Sequence, residues 1–165
     1  INVGLTDSKR PDGQAGWETG ITLALGAAAG ADVFGHMGIC GVDQAASFDI
    51  LVLQDEIIRY VESMMREVGT DDATMGIDVV EEVGPGGSFL PTEHTADRFR
   101  DELWFPQLTD RRYYEAWRKD DAIDTERRCA SRREDILAHH HSPPLAEDLS
   151  RELRQIVDAA RRGLG

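Results

Sequence analysis

Residues 83–100 read VGPGGSFLPTEHTADRFR and join three kinds of local structure. The GPGG run is typical of a turn with two positive-φ positions, and it lacks the spacing of a phosphate-binding loop. The apolar pair after it favours a short strand over 88–90. Beyond His94, Thr95 can cap a helix that we expect to reach about Phe105. The stretch therefore predicts a strand, a loop carrying a histidine, and a helix.

The segments before this stretch alternate between short extended runs and helices. Short strands are expected over 1–5 and at Val33–Phe34. The predicted helices lie over 14–29, from Ser47 to Gly69, and over 75–83 with Thr74 as the cap. Because strands and helices alternate, we expect parallel strands joined by crossover helices, with functional residues at the carboxyl ends of the strands.

The end of the chain has a different pattern. Three amphipathic helices are predicted there, from the segments TDRRYYEAWRKDD, DTERRCASRREDILAHHH and LAEDLSRELRQIVDAARR. One apolar stripe on the last helix consists of Leu149, Leu153, Ile156, Val157 and Ala160. We therefore expect an α/β part over 1–108 and a helical extension over 109–165 packed on it, with helix predominating overall.

Composition restricts the classes of partner. The net charge is −13, and residues 1–105 carry the whole acidic excess, whereas residues 106–165 are balanced. Such a surface argues against nucleic acid. It favours a cation or a basic partner, or serves solubility alone. No apolar run is long enough to span a membrane, and no signal peptide is visible. Cys40 and Cys129 are far apart, so we expect two reduced, buried thiols in a cytoplasmic protein.

Three positions fall where a predicted strand ends: Asp7 and its neighbours, His36, and His94. His36 could be a functional residue at the end of its strand or be a buried histidine with satisfied hydrogen bonds. His94 could face a substrate or cofactor, or hydrogen-bond the GPGG turn. The HHH run at 139–141 stands at a helix end, where the helix dipole explains it, so no metal site is expected.

The loop after the first strand combines acidic and amide side chains. Asp7, Lys9, Asp12 and Gln14 lie in this loop, and Glu18 follows one turn into the helix. The carboxylates could hold an ammonium group, or they could be the ordinary charge arrangement at a helix start, where the dipole alone favours Asp12. Aromatic faces bind quaternary ammonium groups, so Trp17 and Phe34 could contribute, although their spacing also fits a core. The residues alone leave these alternatives open.

Several phrases in the same order carry a family likeness: DSKRPDGQAGWE at 7–18, GPGGSFL at 84–90, HTADRFRDELWFPQLTDR at 94–111, and YYEAW after them. They resemble the C-terminal part of the trimethylamine methyltransferase family. The resemblance implies the last βα units of a (β/α)8 barrel over 1–108, followed by C-terminal helices over 109–165. His94 would then stand at the rim of the active-site face.

The resemblance also implies a function. Members of this family transfer a methyl group from a methylated amine, trimethylamine or a quaternary amine such as a betaine, to the cobalt of a corrinoid on a separate protein. The candidate substrate-binding residues are then Asp7, Gln14, His36 and His94, and no catalytic residue is assigned. We expect a homo-oligomer, no bound metal and no membrane or nucleic acid partner. The alternative is a non-catalytic structural or docking module.

Overall fold

The computed structural model describes residue 1 and residues 3–163, and helix predominates among them, as the sequence predicts. The helices of the described part are α1 (Gly13–Ala28), α2 (Phe48–Met65), α3 (Asp72–Met75), α4 (Ile77–Val83), α5 (Glu93–Glu102), α6 (Tyr114–Lys119), α7 (Thr125–His139) and α8 (Glu147–Gly163). Two short strands, β1 (Ile39–Cys40) and β2 (Ala45–Ala46), form an antiparallel pair. The helices predicted in the last third of the chain are thus confirmed.

The first extended segment, residues 3–6, runs parallel to β1. The Thr6 N–H donates to the Ile39 carbonyl at 3.3 Å, and Thr6 forms a parallel bridge with Cys40. Helix α1 lies between the first extended segment and β1 in the chain, and it packs on α2. The expected parallel pairing with a crossover helix is therefore present, but it is limited to this one bridge among the described residues.

The prediction of a strand at Val33–Phe34 is wrong. Val33 is 73% exposed, and the backbone turns at His36, whose φ of 69° is left-handed. The chain resumes an extended form only at Ile39, where β1 begins. A short apolar pair therefore does not mark a buried strand when the residues after it form a turn.

The starts of α1 and α2 were predicted correctly to within one residue, whereas the caps predicted at Thr74 and Thr95 are wrong. Asp12 caps α1 by accepting a hydrogen bond from Ala15, and Ser47 caps α2 by accepting one from Ile50. Helix α2 ends at Met65 rather than at Gly69, because Arg66 is already extended. Thr74 is not a cap.

The region before the GPGG turn forms two helices instead of one. Asp71 caps α3, and Thr74 lies inside that helix. Gly76 has a φ of 56°, which ends α3 and separates it from α4. The left-handed glycine explains why no single helix spans 75–83.

The GPGG turn has the two positive-φ positions that were predicted, Gly84 at 65° and Gly86 at 76°. The prediction of a strand over 88–90 is wrong, because this stretch bends into a turn and is exposed. The hydroxyl of Thr92 donates to the Phe89 carbonyl at 2.8 Å and closes this turn. Thr92, not Thr95, also caps α5, which places His94 inside the first turn of that helix.

The core joins residues from both sides of position 108. Ala15, Leu53, Leu108 and Cys129 form one buried cluster. The buried carboxylate of Glu56 accepts hydrogen bonds from the backbone N–H groups of 107–109, and the shortest of these are 2.9 Å. This carboxylate therefore fixes the loop that brings Leu108 into the core.

The chain forms two compact units, residues 1–134 and residues 135–165. Residues 109–134 contribute Cys129 to the core of the first unit. The predicted division into 1–108 and 109–165 stays a prediction. Both cysteines are free and buried, as expected. Within the described residues, no helix combines the length and apolar character needed to cross a bilayer.

Candidate functional site

The loop between the first extended segment and α1 is held by its own hydroxyl and carboxylate groups. The Ser8 hydroxyl donates to Asp12 at 2.9 Å, and the Ser8 N–H donates to the Thr6 hydroxyl at 3.0 Å. The Asp12 carboxylate also accepts from the Ala15 N–H at 3.1 Å. The Ala15 and Ser8 hydrogen bonds keep the pKa of the Asp12 carboxyl below its ordinary value. The residue that caps α1, Asp12, therefore also stabilises the loop before it.

The carboxylate of Glu18 accepts three hydrogen bonds from this loop and from α1. The Thr6 hydroxyl donates at 2.6 Å, the Asp7 N–H at 2.9 Å, and the Gln14 amide at 2.9 Å. These bonds, that of Thr6 foremost, lower the pKa of the Glu18 carboxyl. Glu18 is therefore a fixed negative charge at neutral pH.

A cavity of about 250 Å³ opens beside this carboxylate. Its lining consists of Leu5, Asp7, Trp17, Glu18, Ile21 and Thr22. The Trp17 side chain lies 60% exposed at the surface, so its indole is accessible. Two acidic residues, one tryptophan and apolar side chains thus belong to the lining of a space large enough for a small ligand.

The basic residues of the loop do not form ion pairs with the acidic side chains of the cavity. The Arg10 guanidinium pairs with Glu126, and the Lys9 ammonium donates to the Asp7 carbonyl at 2.8 Å. Within residues 1 and 3–163, no cation forms an ion pair with the carboxylate of Asp7 or with that of Glu18. The cavity keeps its negative charge, which favours a cationic ligand.

The structure brings two of the four candidate substrate-binding residues together. Asp7 and Gln14 both hydrogen-bond Glu18, Asp7 through its backbone and Gln14 through its side chain. Asp7 also lines the cavity. Gln14 is not part of the lining, but its amide holds the carboxylate of Glu18, which is. Their assignment to substrate stays a prediction.

His36 lies at the other end of the parallel stretch. The Gly35 N–H donates to the Ile1 carbonyl at 3.1 Å, whereas Thr6 pairs with Cys40. His36 is therefore near the start of the first extended segment, and Asp7 follows its end. His36 is exposed, which does not fit the alternative of a buried histidine.

His94 belongs to a different cavity. Its Nε2 lies 3.0 Å from the Ala73 carbonyl, so it links α5 to α3 and does not bond the GPGG turn. The cavity beside it measures about 700 Å³ and is formed by α3, α4, α5 and the turn before α5. The lining includes Asp78, Glu82, Glu93, Asp97 and Arg98. Asp7 and His94 thus line two different cavities, and His36 belongs to the lining of neither.

Sequence reasoning undervalued Trp17, which its helical spacing assigned to the core. Trp17 and Glu18 each lie three or four residues from Gln14 and from Ile21, so the four side chains share one face of α1. A core face seldom includes an unpaired carboxylate. The presence of Glu18 in this stripe was the signal that the face borders a cavity.

The buried side chain of Gln54 holds the backbone under the site. Its Oε1 accepts from the Gly38 N–H at 2.5 Å, and its Nε2 donates to the Thr19 hydroxyl at 3.2 Å and to the Gly4 carbonyl. Gln54 is fully buried and on α2. It therefore fixes the first extended segment relative to α1 and α2.

The triple histidine shows no metal-binding arrangement. His139 lies 2.9 Å from the Asp135 carbonyl and 3.0 Å from its carboxylate, as expected of a residue at a helix end. A search of residues 1 and 3–163 finds no group of three His, Cys, Asp or Glu side chains that could hold a metal ion.

Comparison with known proteins identifies the class. A sequence model of the family described as trimethylamine methyltransferase (MTTB) matches residues 2–165. Because this match includes almost the whole sequence, the chain belongs to the trimethylamine methyltransferase family. The resemblance noted in the sequence is confirmed.

Individual relatives agree with this assignment. The chain is 35% identical over 161 residues to a glycine betaine methyltransferase of Desulfitobacterium hafniense, covering 97% of this chain and 33% of that protein. It is 31% identical over 157 residues to trimethylamine methyltransferase MttB2 of Methanosarcina mazei, covering 95% and 32%. The chain thus spans about a third of the length of the curated relatives it matches.

Proposed function

We propose that this chain is part of an enzyme that transfers a methyl group from a methylated amine to the cobalt of a corrinoid protein. Membership in the trimethylamine methyltransferase family supports this, as do the names of its relatives, which are methyltransferases of glycine betaine or trimethylamine. The corrinoid dependence and the separate corrinoid protein follow from the resemblance.

We further propose that the first extended segment, α1 and β1 form one βα unit of a (β/α)8 barrel. The support is the parallel bridge between Thr6 and Cys40 with α1 as the connection. In such barrels the active site lies at the carboxyl ends of the strands. Asp7 directly follows this segment, so the cavity that it lines is on the expected side.

The observation that carries the proposal is the lining of that cavity. A methylated ammonium group has a diffuse positive charge and an apolar surface, so it binds to aromatic faces and to nearby carboxylates. Trp17 supplies the aromatic face, while Glu18 and Asp7 supply the negative charge. In this proposal the cavity holds the substrate's ammonium group, trimethylammonium or that of a betaine.

The charge of the substrate determines what these residues contribute. Breaking the carbon–nitrogen bond of a quaternary amine leaves the electron pair on nitrogen, so the product amine is neutral. The corrinoid, carried by a partner protein, would supply a cobalt(I) nucleophile for the methyl group. Since positive charge leaves nitrogen as the bond breaks, the carboxylates bind the substrate better than the product. Their contribution is to substrate affinity and product release rather than to the rate of bond breaking.

Methyl transfer can be measured by mixing the protein with reduced corrinoid protein and a panel of betaines and methylamines, following the absorbance of the cobalt centre. We expect one of these amines to be demethylated, with KM raised several-fold in Glu18→Gln and kcat changed less. Glu62→Gln, which removes an exposed carboxylate on α2, is the matched control. No absorbance change with any amine would contradict the proposed reaction.

A further inference from the structure

Lys9 is a cation without a carboxylate partner next to the proposed ammonium site. Its ammonium group donates to the Asp7 carbonyl at 2.8 Å. Among the residues that the structure describes, no carboxylate forms an ion pair with it. The neighbouring Arg10 differs, because its guanidinium pairs with Glu126. The Lys9 ammonium, which has three donors, thus keeps donors for a ligand.

The backbone of Asp7 holds this cation close to the carboxylate of Glu18. Glu18 accepts a hydrogen bond from the Asp7 N–H at 2.9 Å, and Lys9 donates to the carbonyl of the same residue. Standard bond lengths across one residue then limit the distance from the Glu18 Oε2 to the Lys9 Nζ to at most about 10 Å. A negative and a positive group are therefore close enough to contact the two ends of one small ligand.

The stem of Lys9 lies beside the end of β1. Gly41 directly follows β1, and its N–H donates to the Ser8 carbonyl at 3.2 Å. A methyl group on Gly41 would lie 3.9 Å from both the Cγ and the Cε of Lys9. Lys9 is thus near the carboxyl ends of both paired segments, which is the side where a barrel of the proposed kind has its active site.

A methylated amine that also carries a carboxylate matches this pair of charges. Its ammonium group would lie against Trp17 and Glu18, while its carboxylate would accept a hydrogen bond from Lys9. In glycine betaine a single methylene joins the ammonium nitrogen to the carboxylate, so the molecule is short enough to contact both groups. Trimethylammonium offers nothing for Lys9 to bind, and the lysine repels its charge.

We propose that Lys9 is a specificity-determining residue that binds the carboxylate of a betaine and thereby selects betaines over methylated amines that lack a carboxylate. The inference rests on the proposed function, because it places the substrate's ammonium group in the cavity beside Glu18. A substrate held at both ends has fewer orientations of its methyl groups than one held by the ammonium group alone.

Binding of glycine betaine and of choline, followed at the Trp17 indole resonance by NMR, tests the inference. The two probes are matched, since choline has a hydroxymethyl group where glycine betaine has its carboxylate. Lys9→Gln should weaken glycine betaine about two- to five-fold, because an exposed ion pair contributes little more. Choline should bind this variant as well as the wild type, or more tightly. Lys9→Arg keeps the charge and should bind both probes like the wild type.

The control is Lys119→Gln, which removes the other lysine of the chain, an exposed residue on α6, and should change neither affinity. Glycine betaine affinity that is unchanged in Lys9→Gln would overturn the inference. So would equal weakening of both probes, which would mean that Lys9 only supports the loop. In either case choline binding to the wild type leaves the ammonium site intact. Absence of binding of both probes to the wild type would instead contradict the ammonium site and, with it, the role of Lys9.

Discussion

The hydroxyl of Thr6 donates a hydrogen bond of 2.6 Å to the carboxylate of Glu18 and so ties the first extended segment to α1. Thr6 is 1% exposed, so this bond is shielded from water. The contact holds Glu18 at the wall of the cavity, next to Trp17 and Asp7. A buried neutral residue thereby fixes the position of the charge on which the proposed cation site depends.

Replacing Thr6 tests this dependence. Thr6→Val retains the shape but removes the donor, so the pKa of the Glu18 carboxyl should rise toward its ordinary value. Carboxyl NMR titration would measure this directly. Affinity for a quaternary ammonium ligand should fall several-fold, because the carboxylate is no longer oriented. Thr6→Ser, which retains the hydroxyl, should behave like the wild type, and an unchanged Glu18 pKa in Thr6→Val would contradict the account.

Gln54 is expected to be essential for stability. Gln54→Leu would leave the buried Gly38 N–H without a partner and would leave the Gly4 carbonyl with only the long hydrogen bond, 3.4 Å, from the Thr19 hydroxyl. Each unsatisfied backbone group costs about 1–3 kcal/mol, so the free energy of unfolding should fall by about 2 kcal/mol or more. Urea denaturation followed by circular dichroism measures the change. A loss no larger than that of Asp55→Asn, which breaks only an exposed ion pair on the same helix, would show that these hydrogen bonds do not support the fold.

Asp110 should contribute to the acid sensitivity of the first unit. Its carboxylate binds Arg112 at 2.7 Å and Arg128 at 2.9 Å, and the hydrogen bonds from Arg112 foremost lower its pKa from 3.8 to about 2. The pKa of Asp110 is lower in the folded chain than in the unfolded chain, so its ionised carboxylate stabilises the fold. This stabilisation is present above pH 3.8 and is lost as pH falls toward about 2.

The urea midpoint should therefore decline between pH 4 and pH 2 in the wild type. Asp110→Asn should have a lower midpoint at pH 5 and a smaller decline over the same range, because it has no carboxyl to protonate there. An equally steep decline in Asp110→Asn would place the acid sensitivity on other groups.

The thiol of Cys129 should be unreactive in the folded protein. The side chain is fully buried in the core, and burial raises its pKa to about 11. Thiolate is the reactive form, so a maleimide or disulfide reagent should label neither Cys129 nor the buried Cys40 at pH 8 until the chain unfolds. Mass spectrometry of labelled peptides with and without urea distinguishes the two states. Rapid labelling of Cys129 without denaturant would contradict the described core.

The helices were largely predictable because their signals are local. Asp12 and Ser47 are caps that act over three residues, and apolar periodicity identifies α7 and α8. The strands were less predictable, because a pairing partner decides whether an apolar pair becomes extended. At Val33–Phe34 the decisive feature was the left-handed turn at His36, which sequence spacing does not reveal.

The site was predictable only in part, for the same physical reason. The acidic loop pointed to Asp7, Lys9, Asp12, Gln14 and Glu18. The structure joins Asp7 and Gln14 to Glu18 by hydrogen bonds, whereas Asp12 caps α1. The grouping of Asp7 with His36 and His94 assumed three parallel strands ending at one face. The described residues form a single parallel bridge, so the two histidines lie elsewhere.

The central claim is that Trp17 and Glu18 bind a methylated ammonium group, and its most direct test is an NMR titration of the Trp17 indole resonance. The probes are choline and its uncharged isostere 3,3-dimethylbutan-1-ol, which has the same shape. The account predicts a saturable shift with choline, weakened several-fold in Glu18→Gln but not in Glu62→Gln, and a much weaker response to the isostere. Equal responses to both probes, or none at Trp17 with either, would contradict it.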